Sequence, residues 1–126
     1  MNLALAIFVG GGIGSLCRYA MMNLISHRLP SVSFPWPTLS VNILGAFLIG
    51  ILLELLALRT TLGSTGKFFL VTGFLGGFTT FSAFSLESAL MFEKGDFINM
   101  GLYIAASVIG TVIAVFAGSG LIRSLT

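Results

Sequence analysis

Charge is what this sequence has least of. Six basic and four acidic residues make up 8% of its 126 residues, against 56% hydrophobic. The mean hydropathy is +1.08. A soluble domain carries roughly 25% charged residues, so this chain has too little polar surface to cover a core in water. The formal charge of +2 is too small and too dispersed for a nucleic-acid partner. A single cysteine, Cys17, excludes an intrachain disulfide. Histidine occurs once, at His27, expected in a loop, and Glu87 has no evident acid–base partner. No catalytic constellation and no metal-ligating cluster of side chains is visible, so an enzyme is not expected.

What the chain does have is long uncharged runs. They extend over Met1–Cys17, Leu29–Leu53, Phe68–Leu86 and Phe97–Ile122. A spanning helix needs ~20 predominantly apolar residues. The runs predict helices at Leu3–Ser26, Pro37–Leu58, Lys67–Lys94 and Phe97–Arg123, in a single four-helix transmembrane domain over 1–126. The first run lacks the basic flank of a cleavable signal, so its helix is expected to stay in the protein.

The connections are short. Phe34-Pro35-Trp36-Pro37 reads as an interfacial entry, with Trp36 at the headgroups. Arg59 to Lys67 is a polar turn. Gly95 can close the third helix in a left-handed conformation and Asp96 can cap the fourth, which predicts an antiparallel hairpin. Lys and Arg fail to choose an orientation: Arg59, Lys67 and Arg123 fall on one side, Arg28, Lys94 and the deeper Arg18 on the other. One reading is an unresolved weak bias; the other is dual topology, which makes an antiparallel homodimer available.

The third segment is the most informative. A continuous helix over Lys67–Lys94 would be ~42 Å long at 1.5 Å per residue, against a hydrocarbon core of ~30 Å. Its middle reads Thr72-Gly73-Phe74-Leu75-Gly76-Gly77-Phe78-Thr79-Thr80-Phe81-Ser82. Tilt can absorb the length, and glycine is common in packed membrane helices. The alternative is a helix broken near its middle, which membranes tolerate only where the backbone is buried in protein or lines a polar cavity. The other glycines suit close helix contacts: Gly10 and Gly14 at four-residue spacing, then Gly45, Gly50 and Gly110. Gly10-Gly11-Gly12-Ile13-Gly14 follows no strand, so it is no dinucleotide loop.

Several polar groups lie inside the spans. Tyr103, Ser107 and Thr111 share one face of the fourth helix. Such a stripe serves either as glue between helices or as a path, and Asn42 is open to the same two readings. Arg18 is costly in lipid and should face a vestibule or a partner. Phe81 and Phe84, one turn apart, suit packing, although an aromatic ring edge is electropositive and can face an anion.

Three motifs carry a resemblance. Gly11-Gly12-Ile13-Gly14-Ser15-Leu16-Cys17-Arg18-Tyr19, Thr38-Leu39-Ser40-Val41-Asn42-Ile43-Leu44-Gly45-Ala46-Phe47-Leu48-Ile49-Gly50 and Gly73-Phe74-Leu75-Gly76-Gly77-Phe78-Thr79-Thr80-Phe81-Ser82-Ala83-Phe84 resemble the first, second and third helices of the Fluc (CrcB) fluoride channels. The resemblance implies an all-α membrane protein, an antiparallel dual-topology homodimer with two fluoride pores in the cell membrane. It implies that Asn42, Phe81 and Phe84 line the pore. Tyr103, Ser107 and Thr111 would form a polar track helped by Thr80 and Ser82, with Arg18 in the vestibule. It also implies a central structural Na+ held by the backbone carbonyls of Gly76 and Thr79, and passive export of fluoride as the activity.

The residues agree with an anion path. Fluoride is small and strongly hydrated, so amide and hydroxyl donors must replace its water, and conduction requires weak, multi-site binding. Two other classes compete. A small dual-topology drug–proton antiporter needs an intramembrane carboxylate; the first helix has none, and Glu54 and Glu87 lie toward helix ends. A purely structural subunit leaves the glycine-rich break without a purpose.

Overall fold

Four spans follow from the apolar runs, and the computed structural model describes residues 2–29, 34–58 and 62–126. The described residues are helical throughout apart from short connections, with no strand among them. Helix α1 is Leu3–Arg28 and α2 is Trp36–Leu58. The third span is divided into α3, residues 64–78, and α4, Phe81–Glu93. Helix α5 is Phe97–Leu125. All four spans are long and apolar enough to cross a membrane.

Boundaries shift modestly from expectation. Helix α1 continues through Arg28, which puts His27 in its last turn and not in a loop. Cations there complement the carbonyl end of the helix dipole. The third span begins at Ser64, three residues before Lys67, behind an extended Gly63. Arg59, Thr60 and Thr61 of the expected polar turn lie outside the described residues. Trp36 opens α2 and Pro37 follows it, where a missing N–H costs nothing because the first-turn donors have no helical acceptor.

The second hairpin follows its sequence chemistry. Gly95 has φ +75°. Its N–H donates to the Phe92 carbonyl at 3.0 Å and the Asp96 N–H to Met91 at 2.9 Å. This pair of bonds closes a helix at a left-handed glycine. The Asp96 carboxylate then accepts from the Asn99 N–H at 3.4 Å and from its side-chain amide at 3.0 Å, which caps α5.

Helices α2 and α5 form the most extensive pair, with α1 against α3 next. Both depend on glycine. A methyl group at Gly50 would overlap the Val115 carbonyl, and one at Gly118 the Phe47 carbonyl. On the other pair, Gly10 faces the Phe69 carbonyl, Gly14 the Phe74 carbonyl and Gly77 the Gly11 carbonyl, each without room for a side chain. Gly45 abuts the Thr79 methyl and Gly110 the Ile43 side chain. In lipid there is no hydrophobic drive between helices, so such close backbone approach carries the association. Large apolar side chains such as Phe8, Ile98 and Phe116 point outward, as lipid contact requires.

The sequence offered two readings of the third span, and the structure decides for the break. Phe68–Leu75 is wound as a wide π-helix, one α-turn follows at Gly76–Phe78, and the chain then leaves helical geometry. Thr79 (φ −92°, ψ 158°) and Thr80 (φ −148°, ψ 117°) are extended. The Thr80 hydroxyl accepts from the Ala83 N–H at 3.2 Å and starts α4.

Candidate functional site

An extended dipeptide at membrane depth strands backbone groups that a helix would pair, and each one costs several kcal/mol in lipid if left unmet. Asn42 on α2 resolves one pair of them. Its Nδ2 donates to the Thr80 carbonyl at 2.9 Å, and its Oδ1 accepts from the Thr80 N–H at 2.8 Å. A primary amide carries two N–H bonds, so one Nδ2 hydrogen remains to be donated. From α1, Arg18 donates its Nε–H to the Gly77 carbonyl at 3.0 Å. The break is thus held from two helices.

The diverted donors leave two carbonyls without their helical partners. In a continuous helix the Thr80 N–H would serve Gly76 and the Ala83 N–H would serve Thr79. The first goes to Asn42 and the second to the Thr80 hydroxyl.

A groove of about 360 Å³ opens beside the break. Asn42, Gly76, Thr79, Thr80, Phe81, Phe84, Ser107 and Thr111 all line it, brought together from α2, the third span and α5. None of its lining residues is charged. Three of the expected site residues lie off it. Tyr103 is fully buried one turn before Ser107, its ring 5.2 Å from that of Phe84. Ser82 is exposed, its hydroxyl 3.3 Å from that of Thr80. Arg18 is half-buried on the α1 side of the break.

The hydroxyls differ in what they can offer. Those of Tyr103 and Ser107 are buried without a hydrogen-bond partner among the described residues. Buried hydroxyls are rarely left so. The Thr111 hydroxyl donates to the Ser107 carbonyl at 2.6 Å, and that of Thr79 to Leu75 at 3.0 Å. Their hydrogens are spent on their own helices, so both offer only acceptor capacity. Phe81 and Phe84 have centroids 5.3 Å apart with an interplanar angle of 41°. Phe84 is buried and Phe81 is 77% exposed.

Two polar clusters escaped the sequence reading. Thr38 donates to the Glu87 carboxylate at 2.6 Å, next to the buried Tyr103. At the opposite end of α2, Glu54 pairs with Arg123 at 3.0 Å and accepts from Ser119 at 2.7 Å. An acid within an apolar span is a functional candidate by default, and that rule would have singled out Glu87.

The comparisons cover this whole arrangement. Residues 5–119 match the family described as "CrcB-like protein, Camphor Resistance (CrcB)". A protein of Agrobacterium fabrum named "Fluoride-specific ion channel FluC" is 50% identical over 125 residues, 99% of this chain and 98% of its own length. Proteins of the same name from Rhizobium etli and Sphingopyxis alaskensis are 48% and 46% identical, each over 99% of this chain. The stretch they share takes in all four spans, the broken third one and every residue of the groove, and the chain therefore belongs to the CrcB family of multi-pass membrane proteins.

Proposed function

We propose that the chain is a passive, selective fluoride channel that exports the anion and relieves its toxicity. The observation that carries this reading is the uncharged groove at the break, where Asn42, Thr80 and Ser107 offer donors beside the rings of Phe81 and Phe84. Donors replace the water of fluoride without fixing it, as a Lys or Arg would. The family relatives bear the name of such channels. An inside-negative potential supplies the work of export, ~2.3 kcal/mol per charge per 100 mV. The antiporter reading finds no carboxylate on the groove.

The pore belongs to an antiparallel homodimer in this reading. The open groove and the exposed Phe81 ring are then covered by a second copy, and each pore draws on both. Asn42, Phe81, Phe84 and Thr80 contact the ion. Tyr103 and Ser107 continue the track with Ser82 at its margin, Thr111 joins it by turning its hydroxyl hydrogen from the Ser107 carbonyl to the ion, and Arg18 faces the vestibule. The carbonyls of Gly76 and Thr79 suit a central Na+, because uncharged oxygens stripped of helical donors are what a hard monovalent cation takes at a helix break. Bound there, Na+ would join the two breaks and offset their carbonyl dipoles.

Two experiments test the path and the assembly. Phe81→Ile and Phe84→Ile keep apolar bulk but remove the electropositive ring edge, so both should slow fluoride efflux from proteoliposomes by well over tenfold. Swaps of this kind usually cost under ~1.5 kcal/mol, and the exposed Phe81 should cost less than the buried Phe84. Unchanged efflux in both returns the rings to packing. For topology, cysteine tags at the two termini should be labelled from both faces of the membrane. Two added Lys at one terminus should bias insertion and reduce function. Labelling from one face alone removes the antiparallel pair.

A further inference from the structure

We propose that Arg18 is a positioning residue: its Nε–H, and not its charge, holds the break in the third span open. The inference deepens the channel reading, on which its functional consequence rests, but its geometry stands apart from it. Arg18 lies ten residues from the end of α1, about 15 Å along the helix. It is half-buried and makes no ion pair among the described residues. A permanent charge so placed is costly unless it does something. What it does on the page is donate from Nε to the Gly77 carbonyl at 3.0 Å.

That carbonyl matters because of its neighbours. A continuous helix would close it with the Phe81 N–H, and closing that turn would return the Thr80 N–H to Gly76 and dismantle the Asn42 clamp. Arg18 occupies the Gly77 acceptor from one helix while Asn42 occupies both polar groups of the Thr80 peptide from another. Together they keep the Gly76 carbonyl without its helical donor. Gly77 is also the residue whose Cα side is pressed on Gly11 of the same helix, so α1 fixes the last helical turn before the break by packing and by a hydrogen bond. Arg18 therefore acts on the groove through the backbone of the third span, from the far side.

Side-chain geometry separates donor from charge. Glutamine places its amide nitrogen the same number of bonds from Cα as the Nε of arginine, without charge. Methionine places a methyl there, with neither donor nor charge. Lysine keeps the charge but carries its nitrogen one atom farther out. The readout is amide hydrogen exchange at Thr80 in full-length protein in nanodiscs, followed by NMR. Arg18→Gln should exchange within about twofold of the parent. Arg18→Met should exchange about tenfold faster, the upper end of what losing one hydrogen bond gives. Arg18→Lys should also exceed Arg18→Gln, which keeps the test decisive where the methionine variant fails to fold. Parent-like exchange in Arg18→Met, or slower exchange in Arg18→Lys than in Arg18→Gln, overturns the proposal. Fluoride efflux from liposomes that hold the same proteins reads the channel assignment separately: a parent that conducts no fluoride defeats that assignment and leaves the exchange result standing.

Discussion

Asn42→Asp is expected to reduce fluoride efflux by more than ~100-fold while the protein still folds. The carboxylate keeps the acceptor for the Thr80 N–H but loses the donor to the Thr80 carbonyl, and it loses the amide's uncommitted N–H. It also places a negative charge where an anion must pass. At 4–5 Å and an effective dielectric constant of 20, like charges repel by ~3–4 kcal/mol. That repulsion alone gives a factor of a few hundred, and it grows where the groove is dry. Asn42→Ala should conduct less than the parent but more than Asn42→Asp, because it lacks the repulsive charge. The check is initial efflux rate from proteoliposomes at matched protein content. Equal rates in Asn42→Asp and the parent would remove Asn42 from the path.

The second large effect contrasts two adjacent glycines. A methyl group at Gly77 would overlap the Gly11 carbonyl, so Gly77→Val should damage the protomer itself. At Gly76 the nearest atom to such a methyl is the Val71 carbonyl, at an ordinary 3.9 Å. Its backbone is helical, φ −62° and ψ −37°, a conformation valine adopts readily. A Cβ at Gly76 thus meets no obstacle within one copy, and the position is exposed. The proposed axial position supplies one: a branched side chain there crowds the second copy and the carbonyls offered to Na+. Gly76→Val should keep its helical content, lose the dimer on size-exclusion chromatography and lose flux. Thr79→Ser, which retains the carbonyl, should be mild. A dimeric, conducting Gly76→Val would contradict the axial placement.

The limits of reading the sequence follow from what is local and what is not. The spans were legible because the composition leaves a chain this apolar no other solvent. The turn at Gly95 and Asp96 was legible because both residues act within five positions of themselves. The break was legible as an alternative, from three glycines and four hydroxyls between Thr72 and Ser82 in a span too long for the bilayer. The π-helical winding of Phe68–Leu75 was not, since a change of backbone hydrogen-bond register has no composition of its own. Nor was the use made of Asn42 and Arg18. Both act on backbone groups 38 and 59 residues away, a pairing that exists only once the helices pack. The same is true of Thr38 with Glu87 and of Glu54 with Arg123, each pair joined across spans. Thr111 shows the opposite case. It lies on the expected face beside the groove, yet its hydrogen is donated to its own helix, a competition that spacing alone does not reveal.

The central claim is that the groove passes fluoride and rejects larger anions. Purified parent protein in liposomes loaded with potassium fluoride and potassium chloride and a little sodium, diluted into impermeant anion with a potassium ionophore so that K+ leaves with the anion, tests it directly. Fluoride should leave within seconds and chloride should stay, because chloride is too large for a narrow ring of amide, hydroxyl and ring-edge donors to repay its dehydration. Chloride leaving as readily as fluoride, or neither ion leaving from vesicles shown to contain folded protein, would contradict the account.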